Sequence, residues 1–453
     1  MLLTLLDALV DGIVSSSHAR TDDTGDDPNV LVVSQKYPPE NGGNAARIGD
    51  LTRHMTEDAD VTVLAPPPCY PPTAFEWSWK RARTETRDGV RVHRLWAVQL
   101  RGTDPSFLER MAYYLTFAVH ACLWLCWHRR EFDVVVTTSP PIFTGFGAFP
   151  VHLLGSITWV VDIRDLWIDV SADLGFIDDD GLAARLSRRY RELELRRADL
   201  LTVTSPGTTE QLREQYDFET PVSLVPNGVD TRRFRPAGDV AVDREASDRR
   251  RSTHTHPEVA TSGSGASQAP TEVDLIYTGN LGYAQDLETC IRALSHTERA
   301  VTLRIVGDGD RRDALEELAV EVGVDEQVEF TGLVDRETVP DLLTDARIGL
   351  APLEDRESLS YAVPTKLYEY MACGLPVLAT GRGQIERHVD DSGAGVVAAD
   401  DPAAVAAVID DLLDDEQVRR EYGRRGREFV TDQYDRRAIA RSFAADLDRL
   451  SST

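Results

Sequence analysis

Short runs rich in Val, Ile and Leu alternate with helix-length segments along almost the whole chain, and that alternation limits the fold more than any other feature. NVLVVS (29–34), DVTVLAP (60–66), FDVVVTTS (132–139), ITWVVDIRD (157–165) and DLLTVTS (199–205) read as buried strands. The rhythm resumes with DLIYTGN (274–280), VTLRIVGDG (301–309), QVEFTGLV (327–334), RIGLAP (347–352), LPVLATG (375–381) and AGVVAAD (394–400). Strands that are apolar throughout, rather than at every second position, belong to parallel sheets covered on both faces. The fold class is therefore α/β, with βα units in each half. A stretch of Ser, Thr, Arg and Gly without apolar period (239–272) separates the halves and reads as a flexible insertion. The expected organisation is an appendage and tether (1–28), a first Rossmann-like domain (29–225), a second (226–430) that carries the insertion, and a C-terminal helix (431–453). That last helix either packs on the second domain or crosses back to the first. Two such sheets facing each other create a cleft at their strand ends, where open α/β sheets bind ligands.

Composition narrows the function. The chain of 453 residues has a net charge of −27, and its bases are almost all arginine, with lysine only at Lys36, Lys80 and Lys366. An acidic surplus of this size is a solvated, self-repelling surface. With the lysine shortage it points to a salty, haloarchaeon-like cytoplasm, and it argues against a nucleic-acid binder, which needs a basic stripe. The cysteines, 69, 122, 126, 290 and 373, form no paired metal-binding pattern, so no metal is expected and a reducing, cytoplasmic setting is. Residues 1–14 are apolar with helical spacing but lack a basic leader, and a misassigned start codon explains them equally well. Phe107 to Trp127 is strongly apolar and is followed by His128, Arg129 and Arg130. Segment 107–130 is either a buried helix or one that dips into a bilayer surface, with its aromatic and basic residues at the headgroups. Glu109 and Arg110 make a full span too short.

The stretch from Val363 to Ala379 carries the most chemistry. Its helix begins near Pro364 and Thr365 and ends at Gly374, the expected punctuation. Lys366 stands in the first turn, where the helix dipole already favours anions. A cation is a poor choice there for helix stability, and becomes sensible if a diphosphate sits at the helix end. Glu369, on the same side, suits a ribose diol. The plainer alternative is a surface Lys–Glu pair.

The segment PTKLYEYMACGLPVLAT closely resembles the donor-site helix of GT-B glycosyltransferases, within the retaining family 4. The resemblance runs over most of residues 29 to 435 and includes VSQKYPPENGGNAAR, VDIRDLWID, VPNGVD, YTGNLGYAQDLET and RIVGDGDRRDALEELA. Within the family the chain is most similar to the branch acting on amino sugars in surface-glycan assembly. The resemblance implies a GT-B fold and donor contacts from Gly42, Gly43, Asn280, Gly282, Gly307, Thr365, Lys366, Leu367 and Glu369. Glu369 matches the second acid of the family's E-x7-E motif, but Tyr361 stands where the first belongs; Glu357 or Asp355 are candidate substitutes. The cation that many relatives carry after the Gly279–Gly282 loop is also absent, because the sequence there reads Tyr283-Ala284-Gln285. Phosphate neutralisation then leans on Lys366, with Arg311 or Lys36.

The chemistry implied is same-face transfer of a hexosyl or N-acetylhexosaminyl unit from a UDP- or GDP-sugar. The acceptor would be a glycan or a lipid-linked glycan, at the cytoplasmic side of the membrane. No cofactor or metal is expected, the enzyme supplying charge stabilisation and positioning. Arg164 and Asp165 end a strand and are the catalytic candidates, Asp165 to orient or deprotonate the acceptor; alternatively they close the strand as an internal pair. His93, His120 and His152 read as structural. Two rivals share the architecture: a sugar-nucleotide epimerase and a non-catalytic partner subunit.

Overall fold

The computed structural model describes residues 27–40, 42–69, 75, 83–100, 106–155, 157–168, 170, 178, 181–236 and 272–452. The appendage at 1–26 and nearly all of the 239–272 insertion lie outside these residues. The chain divides into two compact units. The first comprises residues up to Thr204, Thr208–Pro226 and Arg437–Thr453, and the second Ser205–Gly207 and Asn227–Arg436.

The first unit is built on an eight-stranded sheet ordered β3-β4-β2-β1-β5-β6-β7-β8. Its strands are β1 (Asn29–Val33), β2 (Asp60–Ala65), β3 (Arg83–Arg87), β4 (Val90–Arg94), β5 (Val134–Ser139), β6 (Thr158–Ile163), β7 (Leu200–Val203) and β8 (Val222–Leu224). Every pairing is parallel except β3 with β4. That edge hairpin departs from the all-parallel expectation. Its strands RTETR and VRVHR are too polar to read as buried, and they turn at Asp88 and Gly89, whose φ angles are 51° and 84°. β1, β2, β5 and β6 are apolar because helices cover both faces. The helix Gly43–Met55 (α1) buries Ile48, Leu51 and Met55 against the sheet. The last helix, Arg436–Ser451 (here αC), adds Ile439, Ala440, Phe443, Ala444 and Leu447 to the same core.

The apolar segment forms one 22-residue helix, Phe107–His128 (α2), started by a reciprocal Ser106–Glu109 capping box. It is not buried all round. Tyr113, Phe117, Ala121 and Leu125 are buried, and Gly147 on the helix Phe143–His152 (α3) lies close against Ala121. Leu108, Leu115, Val119, Leu123 and Trp127 point outward, the last 60% exposed. Apart from the first step these recur every fourth residue, so they form a single apolar stripe. Among the described residues no helix is long and apolar enough to cross a membrane.

The second unit has a six-stranded, wholly parallel sheet ordered β11-β10-β9-β12-β13-β14. The strands are β9 (Val273–Thr278), β10 (Leu303–Val306), β11 (Val328–Gly332), β12 (Ala346–Ala351), β13 (Val377–Ala379) and β14 (Gly395–Val397). Leu275, Ile305, Ile348 and Leu378 from four strands share a core with Leu287, Ile291, Leu315 and Ile409 from the surrounding helices.

Candidate functional site

In the second unit the candidate residues converge on the carboxyl end of β9. The helix Thr365–Ala372 (αD) follows Pro364, whose extended backbone (ψ 135°) starts it, and closes on Gly374 at φ 75°. That angle is left-handed, which is why glycine serves there. From Lys366 to Ala372 every residue is buried, so the Lys366–Glu369 pair is not a surface pair.

Lys366 is 8% exposed, and its Nζ donates to Gln285 Oε1 at 2.7 Å while lying 3.7 Å from the centre of the Tyr277 ring. Burial pushes its pKa well below the usual lysine value, and the charge of Glu369 opposes that shift. Glu369 Oε1 accepts from Arg336 Nη2 at 3.1 Å. Its negative charge is thus shared with a guanidinium, and the lysine is left with a neutral amide and an aromatic face as its close partners.

Two glycine loops frame this lysine. Gly279 has φ 137°, and a Cβ there would sit 3.2 Å from Lys366 Cε. Gly307, at φ 143°, packs its α-carbon against the Gly279 carbonyl, which a side chain would strike. Gly279 N donates to Val306 O at 2.9 Å, and Tyr277 Oη to Asn280 O at 2.5 Å. The loop is pinned from the other side by Tyr370 on αD, whose hydroxyl accepts from Thr278 N at 2.8 Å. Asn280, Gly282, Gly307, Thr365, Lys366 and Glu369 therefore belong to one loop-and-helix assembly. Leu367 differs: it is fully buried and its side chain is a core residue.

Several fallback candidates are engaged elsewhere. Arg311 pairs with Glu288 and stacks over Tyr283, 5.1 Å from the ring centre. Asp355 pairs with Arg382, and the Glu357 side chain is 85% exposed. Tyr361 is 3% exposed and its carbonyl accepts from Ser205 Oγ at 2.7 Å, so it is a packing residue. Sequence reasoning missed Arg336, which lies in a loop without periodicity. It noted Gln285 only as the position of an absent cation.

In the first unit, Gly42 (φ 127°) is the N-cap of α1, and among the described residues nothing lies within 4 Å of a Cβ placed at Gly42 or Gly43. Lys36 Nζ bonds Glu40 Oε1 at 3.1 Å. Arg164 follows β6 and its nearest carboxylate is Asp162, 3.9 Å away, while Asp165 is half-buried beside it. The internal pair suggested by the sequence is thus Arg164 with Asp162, not with Asp165. Burial lowers the Arg164 pKa to about 10, with Asp162 acting to raise it. The Asp162 oxygens accept two bonds from Arg47, at 2.7 and 3.2 Å. His120 and His152 bond the backbone carbonyls of Trp96 and Ile157, and His93 bonds the Thr84 hydroxyl, so each has a local structural partner. Among the described residues no group of three His, Cys, Asp or Glu side chains is arranged to hold a metal.

Two family models match this chain: "Glycosyl transferase 4-like domain" over residues 42–228 and "Glycosyl transferases group 1" over 272–415. The chain belongs to the group 1 glycosyltransferases. This glycosyltransferase is 29% identical over 416 residues to the GDP-mannose-dependent alpha-(1-6)-phosphatidylinositol monomannoside mannosyltransferase of Mycolicibacterium smegmatis, covering 89% of this chain and 94% of the relative. Its fold is similar to that of a sucrose-phosphate synthase from Thermosynechococcus elongatus, with a TM-score of 0.73 at 18% identity over 94% of this chain and 99% of the other. Anabaena Alr3699/HepE, solved in complex with UDP-glucose, superposes with a TM-score of 0.64 at 15% identity, over 93% of this chain and all of that one (100%). The structural neighbours are GT-B enzymes, and the two parallel-sheet units of this glycosyltransferase are that fold.

Proposed function

We propose that this glycosyltransferase moves a hexosyl or N-acetylhexosaminyl unit from a UDP- or GDP-sugar to a glycan or lipid-linked acceptor, with retention at the anomeric carbon. The observation that carries the reading is Lys366: a buried cation facing two glycine loops, with no carboxylate among the described residues bonded to its ammonium. A diphosphate would supply the missing negative charge at the start of αD, and Glu369 with Arg336 stands one turn on, where a ribose hydroxyl would reach both. The names of the relatives support a nucleotide-sugar donor, since one is GDP-mannose-dependent and another was solved with UDP-glucose. In the reaction the diphosphate leaves, and Lys366 stabilises the charge that develops on it. The acceptor hydroxyl then attacks the face the leaving group vacated. Arg164 and Asp165 are the acceptor-side candidates, with Asp165 orienting the hydroxyl or taking its proton. Protein cations carry the charge stabilisation in this reading, without a metal.

The apolar stripe of α2 supports a peripheral site of action on the cytoplasmic face of the membrane. Leu115, Val119, Leu123 and Trp127 would enter the acyl boundary, with the exposed Arg110 and Arg130 at the headgroups. The decisive experiment incubates the protein with UDP- and GDP-sugars and a lipid extract, following the anomeric proton of the product by NMR. Product with the donor's anomeric configuration is expected. Turnover of donor without any acceptor would instead identify an epimerase. Calorimetric titration with UDP and GDP adds a site test: Glu369→Ala should weaken nucleotide binding by about tenfold or more, the loss of one charge-assisted contact. Unchanged binding removes Glu369 from the site.

A further inference from the structure

At the carboxyl ends of β1, β5 and β6 the first unit holds more hydrogen-bond donors than it satisfies. The Arg164 side chain is 5% exposed. Its Nη2 donates to Pro140 O at 2.7 Å, but among the described residues Nη1 and Nε have no hydrogen-bond partner. Asp162 is too far to bond it, and both Asp162 oxygens are already occupied, by Arg47 and by Thr202 Oγ1 at 2.8 Å. Two buried guanidiniums therefore share one buried carboxylate; the charge of Asp165 reaches Arg164 only from a half-buried position. Three residues on, Trp167 Nε1 is also buried without a partner. After β1, the carboxamide of Gln35 is 1% exposed with neither end bonded. These strands are consecutive in the sheet and are joined at this end by Thr138 Oγ1 to Ser34 Oγ (3.2 Å) and by Arg164 N to Ser139 O (2.8 Å).

A side chain needed only to fill space here would be apolar, because a buried charge with unmet donors and no bonded carboxylate is destabilising. Arginine cannot escape by losing its proton. The unsatisfied groups at β6 are donors only, which selects an anion, and the oxygens of a tetrahedral one offer acceptors enough for both side chains. We propose that Arg164 Nη1 and Trp167 Nε1 form a subsite for a phosphate group carried by the sugar acceptor. The proposal rests on the glycosyltransferase reading above and narrows its acceptor to a phosphorylated one.

The test follows tryptophan fluorescence of the full chain during titration at constant ionic strength. Inorganic phosphate is one ligand, and dihexanoyl phosphatidic acid below its micelle concentration is the other. Arg164→Gln should weaken phosphate binding at least about tenfold and Trp167→Phe about threefold. Tighter binding of the lipid than of inorganic phosphate assigns a lipid-borne acceptor phosphate, and equal binding assigns a water-soluble one. The urea midpoint supplies the second readout. Arg164→Gln should change it little, because the side chain makes one neutral hydrogen bond, to Pro140 O, and the cost of its unmet donors is relieved; phosphate should then raise the midpoint of the wild type but not of the variant. Equal phosphate affinity in wild type and Arg164→Gln overturns the subsite, as does a lowered midpoint with phosphate stabilisation retained. Calorimetry with UDP and GDP keeps the two readings apart. Nucleotide binding without phosphate binding removes only the subsite, whereas loss of nucleotide binding in the wild type removes the donor reading itself.

Discussion

Replacing Asp162 with asparagine tests the buried charge balance of the first unit directly. The Asp162 side chain is 2% exposed and its partner Arg47 is 3% exposed. Arg47 donates from Nη1 and Nη2 to the two carboxylate oxygens and from Nη2 to Val225 O at 2.8 Å. Asparagine keeps the volume and one acceptor oxygen, but it turns an NH2 group toward the guanidinium and removes the only carboxylate that Arg47 bonds among the described residues. Losing hydrogen bonds alone would cost about 1 kcal/mol each. Stranding a buried charge raises the cost to about 4 kcal/mol, and here a second guanidinium, Arg164, stands 3.9 Å from the same carboxylate. With an m-value of about 3 kcal/mol/M, the urea midpoint of the first unit should fall by about 1.3 M. The assay can isolate that unit, because all seven tryptophans lie between positions 77 and 167. Thr202→Val, which removes one neutral donor from Asp162, should cost about 1 kcal/mol. Buried pairs are weakly screened, so the Asp162→Asn effect should persist in molar salt. A midpoint shift below about 0.3 M at unchanged m would refute the argument, because it would mean that Arg47 finds compensation elsewhere.

Gly279→Ala should weaken UDP or GDP binding by about tenfold or more, since it combines a left-handed φ of 137° with a Cβ 3.2 Å from Lys366 Cε; unchanged calorimetric affinity would place Lys366 outside the donor site. Burial raises the Glu194 carboxyl to about 7 from its ordinary 4.5, with Arg191 pulling it back. The folded state therefore keeps a proton that the unfolded chain has lost, and first-unit stability should fall by on the order of 3 kcal/mol at most as pH rises from about 4.5 through about 7. Glu194→Gln should flatten that slope in tryptophan-monitored urea melts, and an unaltered slope would assign it to other groups. Leu115→Asp with Leu123→Asp places charge on two exposed positions of α2, 46% and 50% accessible, so folding should survive. Flotation of the protein with liposomes in high salt should be lost, and retained flotation would move the membrane contact elsewhere.

Local pattern made much of this legible. The parallel strands announce themselves through unbroken apolar runs, and αD through Pro364 and Gly374 at its two ends. The residues that complete the site are another matter, because their partners are distant in the chain. Gln285 reaches Lys366 across 81 positions, Arg336 reaches Glu369 across 33, and Arg47 reaches Asp162 across 115. No periodicity links such pairs; only the closed sheet does. The β3–β4 hairpin escaped for the opposite reason, since an edge strand needs no apolar run. For α2 the composition identified an apolar helix, but two adjacent faces of equal hydrophobicity cannot be told apart until one is covered by α3. Arg164 and Asp165 were rightly read as neighbours at a strand end, yet the carboxylate beside Arg164 lies two residues before it, on the strand itself.

The C-terminal helix has a consequence for how the protein is made. Ile439, Ala440, Phe443, Ala444 and Leu447 belong to the same core as Val30, Val32, Val61 and Val63. Ser223 Oγ bonds Asp446 at 2.7 Å, and Arg437 reaches Glu57 at 2.8 Å. Most of the first unit is thus translated before the second, yet it is completed after it: its sheet can form early, but one of its faces stays uncovered until the whole second unit has been synthesised. During that interval its apolar surface is open to chaperones and to neighbouring nascent chains, and residues Arg436–Ser451, translated after the second unit, are the ones that seal it.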